Sequence, residues 1–202
     1  MKVLSFSAAL LVAVVVSAFA QEGQSAQQLY EAGKYGEALQ AVQQQRERGA
    51  AGPDDTYLAG QILLRLDQGD NAKREFEGLT SLGDEGWQLV GESARALVDN
   101  DTQRALETAT QATAVASDRF AAHYQLGLVQ ARREDFDAAA SAFERAVELN
   151  PTFAYAHYYA GAAYSQIRRS DRTSYFFERF LKLAPDAPER TAVMSIMRTL
   201  RR

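Results

Sequence analysis

The sequence of 202 residues has no cysteine, only two histidines and one tryptophan, and no excess of basic residues. The absence of cysteine excludes disulfide bridges, thiolate metal sites, a cysteine nucleophile and a thioether-linked lipid anchor. The formal net charge of −4 argues against nucleic-acid binding, which requires a basic stripe. Hydrophobic residues make up 47% and charged residues 24% of the chain, proportions that are typical of a globular protein.

The first twenty residues are typical of a secretory signal peptide. Lys2 is the lone charge, residues 10–16 form a dense apolar run, and Ala18-Phe19-Ala20 provides the small residues that a signal peptidase requires. We therefore expect residues 1–20 to be removed and the mature protein to be periplasmic or secreted in a bacterium. An uncleaved membrane anchor is the alternative, because 18 uncharged residues just reach spanning length.

A period of about 34 residues runs through the rest of the chain. Small residues recur at intervals of 33 or 34 residues, at Ala38, Ala72, Ala105, Ala139 and Thr173. Four positions after each of them comes a second residue of the pattern, at Val42, Phe76, Ala109, Phe143 and Phe177. In four units a further small residue lies twelve positions before, at Ala26, Gly60, Gly127 and Gly161.

This pattern predicts two helices per unit, in which the first small residue lets the helices approach closely and the alanine meets it across the contact. In the third unit Gly91 precedes Ala105 by 14 residues, which suggests a two-residue insertion. The predicted helices span about 22–33, 35–48, 54–67, 70–81, 85–99, 101–115, 119–133, 135–149, 153–168, 170–183 and 188–201. No segment alternates with period two, so we expect no sheet.

The fourth unit resembles the tetratricopeptide repeat. Its matching positions are Leu126, Gly127, Phe136, Ala139, Phe143, Ala146 and Pro151. The fifth unit departs from the family pattern at Thr173 and Phe180, and the first and third units match less well. The resemblance implies an all-α fold: a right-handed α-solenoid of about five helix–turn–helix units with a C-terminal capping helix.

We expect three segments along the chain. A cleavable signal peptide at 1–20 precedes a repeat array at 21–186 and a capping helix at 187–202. The array divides into units at about 21–50, 53–84, 85–118, 120–153 and 154–187. The capping helix has apolar residues at spacings that are expected of one face: Val193, Met194, Ile196, Met197 and Leu200.

Residues suited to catalysis are few and scattered. His123 and His157 occupy equivalent positions in consecutive repeats, on helices about 10 Å apart, which is too far for one zinc ion, so we interpret both as structural. Carboxylates such as Asp54, Asp55 and Asp135 are expected to cap helices. No Gly-rich phosphate loop or Gly-x-Ser-x-Gly motif occurs. We therefore expect no enzymatic activity, no cofactor and no catalytic or metal site.

The family resemblance implies that the first helices of the units line a concave groove. The residues of this groove that we expect to bind a partner are Tyr57, Gln61, Tyr124, Leu128, Arg132, Tyr155, Tyr158 and Ala162. We expect Tyr155 and Tyr158 to be exposed, because large amphipathic rings suit binding surfaces. Some family members grip the terminal carboxylate of a peptide with lysines and asparagines. These are absent at the matching positions, which favours an extended or helical apolar segment as ligand.

The sequence thus predicts a non-enzymatic protein–protein interaction scaffold of the cell envelope. Its expected partner is another protein or a peptide segment, with no nucleic acid and with peripheral association with an envelope complex. One alternative is a structural protein that self-associates through the helix at 194–200. Another is an accessory subunit of a membrane-associated complex, tethered by an uncleaved N-terminal segment.

Charge is unevenly distributed along the chain. Residues 21–100 have 7 basic and 14 acidic residues, whereas residues 101–202 have 14 basic and 12 acidic residues. The C-terminal half includes an arginine cluster at Arg132, Arg133, Arg168, Arg169 and Arg172. This cluster is either a solvated surface or a docking patch for an acidic partner or anionic lipid headgroups.

Overall fold

The computed structural model describes residues 24–200, and every regular element in that range is an α-helix. The eleven helices of the described range are α1 (Ala26–Glu31), α2 (Tyr35–Glu47), α3 (Pro53–Arg65), α4 (Gly69–Thr80), α5 (Glu85–Val98), α6 (Thr102–Val115), α7 (Phe120–Arg132), α8 (Phe136–Leu149), α9 (Ala154–Gln166), α10 (Ser170–Leu183) and α11 (Arg190–Leu200). Each packs mainly against its neighbours in the chain. The predicted all-α solenoid of five helix pairs with a final helix is confirmed.

The predicted signal peptide at 1–20 lies outside the described residues. Within residues 24–200, no helix combines the length and the apolar character needed to cross a membrane. The helix ends agree with the predicted ends to within two residues, except at the start of α1. That helix begins at Ala26 because Ser25 and Gln28 form a capping box, in which each side chain accepts a hydrogen bond from the other residue's backbone N–H.

The two helices of every unit are joined by the same three-residue turn. The middle residue of each turn has a positive φ between 58° and 75°, at Gly33, Asp67, Asn100, Glu134 and Arg168. The N–H of the residue after it donates to the carbonyl five positions earlier, as Asp135 does to Gln130 (3.0 Å). This is the Schellman ending of a helix. All five helix pairs are therefore joined by the same backbone turn.

Close packing within a pair depends on a glycine of the first helix that faces a phenylalanine of the second. The pairs are Gly60–Phe76, Gly127–Phe143 and Gly161–Phe177. A Cβ atom added to Gly127 would lie 2.6 Å from the Phe143 ring, which leaves no room for a side chain. The phenylalanine ring, rather than the predicted alanine, is therefore the closest neighbour of the glycine.

The third unit uses serine at this position, and the predicted insertion is wrong. Ser93 lies twelve residues before Ala105, is buried, and donates to the Ala105 carbonyl at 2.9 Å. Gly91 instead faces the preceding unit, where an added Cβ would clash with the backbone of Phe76. The hydroxyl hydrogen bond replaces the glycine–ring contact, so the register of the repeat is kept without extra residues.

Helix α11 divides its apolar residues between two environments. Val193 and Met197 are buried, whereas Met194 and Ile196 are 42% and 36% exposed. Successive residues of an α-helix lie about 100° apart, so Met194 and Ile196 lie on either side of the line through Val193 and Met197, at the edges of one broad apolar face. The apolar face is therefore only partly covered by the array, and self-association through this helix stays a prediction.

The glycine–ring contact predicts opposite effects of two Gly→Ala substitutions. Gly127→Ala should lower the free energy of unfolding by about 1–3 kcal/mol, because the new methyl group overpacks against Phe143. Gly78→Ala should raise it by about 0.5–1 kcal/mol, because the added Cβ meets only Thr56 at 3.8 Å and alanine favours helix. Urea unfolding followed by circular dichroism measures both, and equal effects would contradict the packing described.

Candidate functional site

Tyrosines on the first helices of the units meet in the interior of the array. We define the inner aromatic cluster as Tyr30, Tyr57, Tyr124, Phe153 and Tyr155, all of them buried. Ring centroids lie 6.5 Å apart for Tyr57–Tyr124, 5.3 Å for Tyr124–Phe153 and 5.0 Å for Tyr30–Tyr155. The cluster therefore joins helices α1, α3, α7 and α9 in one aromatic core.

The expected exposure of Tyr155 is wrong, since its relative exposure is 0%. Tyr57 and Tyr124 are buried as well, and Tyr158 is half-buried against Phe177 and Phe180. The physical reason is that helix α1 lies over this part of the inner face, the side of the array that is lined by the first helices of the units. The predicted role of these tyrosines in partner binding stays a prediction, but as they stand three of them are covered by the chain itself.

Helix α1 contacts the start of helix α9 although more than 120 residues separate them. The Tyr30 ring lies 6.3 Å from Phe153 and 5.0 Å from Tyr155. The amide of Gln27 donates to the carbonyl of Thr152 at 3.3 Å. Burial raises the pKa of Tyr30 well above its usual range, so its hydroxyl stays protonated in this core.

The carboxylate of Glu31 caps helix α9 from the far end of the chain. Its Oε1 accepts hydrogen bonds from the backbone N–H of Ala154 (2.7 Å) and from the amide of Gln27 (3.0 Å). Helix α9 has no side-chain cap of its own, because Phe153 stands at its N-cap position. Glu31 is only 5% exposed, and burial raises its pKa to about 7 although both hydrogen bonds oppose the shift.

Arg65 ties the segment before helix α11 to the inner aromatic cluster. Its guanidinium donates to Glu189 Oε1 at 3.0 Å and to the Tyr159 hydroxyl at 3.3 Å, and it lies 4.7 Å from the ring centroid of Tyr155. The Tyr155 hydroxyl donates to Glu189 Oε2 at 2.9 Å. This half-buried network holds α3, α9 and the approach to α11 together.

The two histidines make equivalent contacts within their repeats. Nε2 of His123 donates to the carbonyl of Ser117 at 2.9 Å, and Nε2 of His157 donates to that of Pro151 at 3.0 Å. Each bond joins the first helix of a unit to the turn six residues earlier. The structural interpretation of these histidines is confirmed.

An open cleft of about 470 Å³ remains beside the covered part of the inner face. We call it the inner cleft; it is lined by Gln61, Leu64, Arg65, Phe76, Ala94, Leu97, Val98, Gln125, Leu128, Ala131, Arg132 and Tyr159. Three of the predicted partner-binding residues, Gln61, Leu128 and Arg132, lie here. Tyr158 and Ala162 are half-buried on α9 but do not line the cleft.

The apolar floor that Leu97 and Val98 add at the end of helix α5 was not predicted from the sequence. The supposed insertion in the third unit obscured which residues of that helix face inward. The contacts of Glu31 and Glu189 were not predicted either, because no local pattern marks a side chain that contacts a distant unit.

The raised pKa of Glu31 predicts a pH-dependent stability. Because the folded state binds this proton more tightly than the unfolded chain, the contribution of Glu31 is most favourable below pH 4.5 and is lost as the pH rises through about 7. Glu31→Gln should remove this loss. We expect the unfolding free energy of the Glu31→Gln variant, measured relative to that of the unsubstituted chain, to increase by about 3 kcal/mol between pH 4.5 and 8.

Urea unfolding at several pH values measures this difference. Glu107→Gln, which replaces an exposed carboxylate of α6, should show no such growth. Burial lowers the pKa of His157 and gives the opposite pH dependence, but that contribution is common to all three proteins and cancels in the comparison. A constant difference between Glu31→Gln and the unsubstituted chain would contradict a desolvated Glu31.

Comparison with known proteins adds evidence on family. The family model described as tetratricopeptide repeat matches residues 92–152 and 124–188. No curated protein matches the sequence significantly. The two matched ranges cover most of the third unit and the whole fourth and fifth units.

Solved structures extend the similarity across the array. A thermophilic tetratricopeptide-repeat protein of Thermus thermophilus, TTC0263, is 19% identical with a TM-score of 0.57, over 86% of this chain and 93% of that one. The yeast Sti1 TPR2AB domain in complex with pHSP90 is 12% identical with a TM-score of 0.53, over 86% and 82% of the two chains. The first TPR domain of Spaghetti (RPAP3), bound to the HSP90 peptide SRMEEVD, is 19% identical with a TM-score of 0.53, over 58% and 90%.

The repeat model and the shared fold agree with the helix pairs and with the glycine–phenylalanine contacts that recur along the chain. Both point to the same repeat unit. The chain belongs to the tetratricopeptide-repeat family.

Proposed function

We propose that the protein is a non-enzymatic interaction scaffold that holds a segment of a partner polypeptide in the inner cleft. The observation that carries this proposal is an open, largely apolar depression formed by helices from four consecutive units. Leu64, which lines the depression, is 39% exposed, so apolar surface is left in contact with water. Clefts of this kind are the usual ligand sites of helical proteins.

The charges of the cleft indicate the chemistry of the segment. Arg65 and Arg132 line it, and none of the described residues around it is acidic. Arg65 is already paired with Glu189, whereas Arg132 is exposed and donates to the side-chain oxygen of Asn100, a neutral group, at 3.0 Å. A partner segment with apolar side chains for the floor and one carboxylate for Arg132 fits this surface.

The structural relatives support a polypeptide as the class of ligand. Two proteins that share the fold were solved in complex with HSP90 or its peptide SRMEEVD, which includes three acidic residues. At 19% and 12% identity these structures show only that the fold is shared. The chemistry of the partner is therefore inferred from the cleft of this protein. Arg132 is one of the five arginines of the predicted docking patch, and it is the member of that patch to which we assign a role in binding.

Site-specific crosslinking tests the inner cleft. We expect a photo-reactive amino acid at Leu64 or Leu128 to capture one partner polypeptide in the native host, because both side chains line the cleft. The same probe at Ser141, an exposed residue of α8 outside the cleft, should not capture it. Capture that is equal at all three positions, or absent at Leu64 and Leu128, would overturn the proposal.

A matched pair of charge reversals sharpens the same test. Arg132→Glu should weaken partner binding by about tenfold, which is typical of losing one charge-assisted contact. Arg133→Glu makes the same charge change next to the cleft but at a residue that does not line it, so its effect should be small. Equal losses in the two variants would indicate a general charge effect instead of a contact to Arg132.

We also propose that the scaffold acts in the cell envelope after export, on the strength of the signal-like residues 1–20. The proposal predicts that the protein isolated from its native host begins at Gln21. Mass spectrometry of the intact protein measures this. A mass that includes residues 1–20 would favour the tethered accessory subunit instead.

A further inference from the structure

Helix α1 occupies the surface where the family resemblance places the aromatic half of a partner-binding groove. Its Tyr30 is 1% exposed and lies against Phe153, Tyr155 and Tyr35. The next residue, Glu31, fills the hydrogen-bonding place at the start of helix α9. An aromatic ring and an adjacent carboxylate of this chain thus sit on the inner face as a ligand would.

Helix α1 has little stability of its own. It is six residues long, and isolated helices shorter than about 12–15 residues are marginal in water. Its order therefore depends on packing against α2, its partner in the first pair, and on docking against α9 and against Pro188, which lies beside Gly33 in the turn after it. Elements of this kind are the ones that open locally before the rest of a protein unfolds.

The docked state also includes an unfavourable component. Glu31 is desolvated, and its recorded partners are two neutral donors, the Ala154 N–H and the Gln27 amide. A buried carboxylate without a cationic partner weakens the contact that holds it. The docking of α1 is therefore easier to reverse than the packing of the glycine–phenylalanine pairs.

We propose that helix α1 is a displaceable latch on the inner aromatic cluster, and that a partner segment with an aromatic residue followed by a carboxylate takes its place. This inference rests on the proposed scaffold function and extends its ligand site from the inner cleft to the covered tyrosines. The aromatic residue would replace Tyr30 against Phe153 and Tyr155. The carboxylate would accept the Ala154 N–H, where the helix dipole favours negative charge.

Thiol labelling tests whether the latch opens on its own. The chain has no native cysteine, so a single introduced thiol reports one position. Ala26 is buried on α1, and Ala139 is buried within the α7–α8 pair. We expect the Ala26→Cys thiol to react at least about tenfold faster than the Ala139→Cys thiol under native conditions, because α1 opens without global unfolding. Equal rates would overturn the proposal.

Hydrogen exchange on the unsubstituted chain gives the same information without a mutation. The Ala154 N–H is bonded to the Glu31 side chain, so it exchanges when α1 leaves. The N–H of Ala139 donates to the carbonyl of Asp135 inside the fourth unit. Faster exchange at Ala154 supports a latch, and equal protection at the two positions contradicts it.

A peptide that copies residues 25–34 tests the ligand chemistry. We expect it to bind the full chain with Tyr30→Ala and Glu31→Ala at least about tenfold more tightly than it binds the unsubstituted chain, whose site is occupied. The matched control is the full chain with Tyr175→Ala and Glu107→Ala, which removes the same side chains from exposed positions. That control should bind the peptide as weakly as the unsubstituted chain.

A peptide in which alanine replaces the tyrosine should bind neither the unsubstituted chain nor the chain with Tyr30→Ala and Glu31→Ala. Absence of peptide binding to a folded Tyr30→Ala, Glu31→Ala variant, or equal binding to all three proteins, would overturn the latch. Should that variant not fold, Glu31→Ala alone replaces it and the same two outcomes apply. Crosslinking of a partner at Leu128 without peptide binding would contradict only the latch. Peptide binding without crosslinking of a partner would contradict only the proposed scaffold function.

Discussion

A glycine that receives a phenylalanine ring sets the distance between the two helices of a unit, and this contact recurs at Gly60, Gly127 and Gly161. The same turn recurs in all five units, and Ser93 keeps the register of the third unit without the glycine contact, so the first helices turn the same side inward. That side has a tyrosine in the first, second, fourth and fifth units. The inner aromatic cluster is thus a product of the small–large pairing, although none of its members takes part in that contact.

The inner face has two parts of different character. One is aromatic, polar at its edges through Arg65 and Glu189, and covered by α1. The other is aliphatic, open, and bordered by Arg132. A scaffold that binds through the open part can gain affinity from the covered part only when α1 gives way. The free energy of docking α1 therefore sets how much of the inner face a partner can use.

The repeat, the helix ends and the structural histidines were predictable from the sequence, because each follows from contacts inside one unit that the 34-residue period repeats. Ser93 was misread because a hydroxyl replaced the glycine whose absence looked like an insertion. The burial of Tyr155 was not predictable, since it depends on the curvature of the whole array and on Glu31 reaching Ala154 across 123 residues. No local pattern encodes a contact of that length.

Contacts between the two ends of the array change the order in which the chain can fold. In an open solenoid each repeat needs only its neighbours, and folding can spread from any unit. Here Tyr30 and Glu31 are made first on the ribosome, but the surface that buries them includes Ala154 and Tyr155. Loop closure over such a separation is slow compared with local helix pairing. Helix α1 can therefore pair with α2 early, whereas its contacts with α9 must wait until the fifth unit has been made and folded.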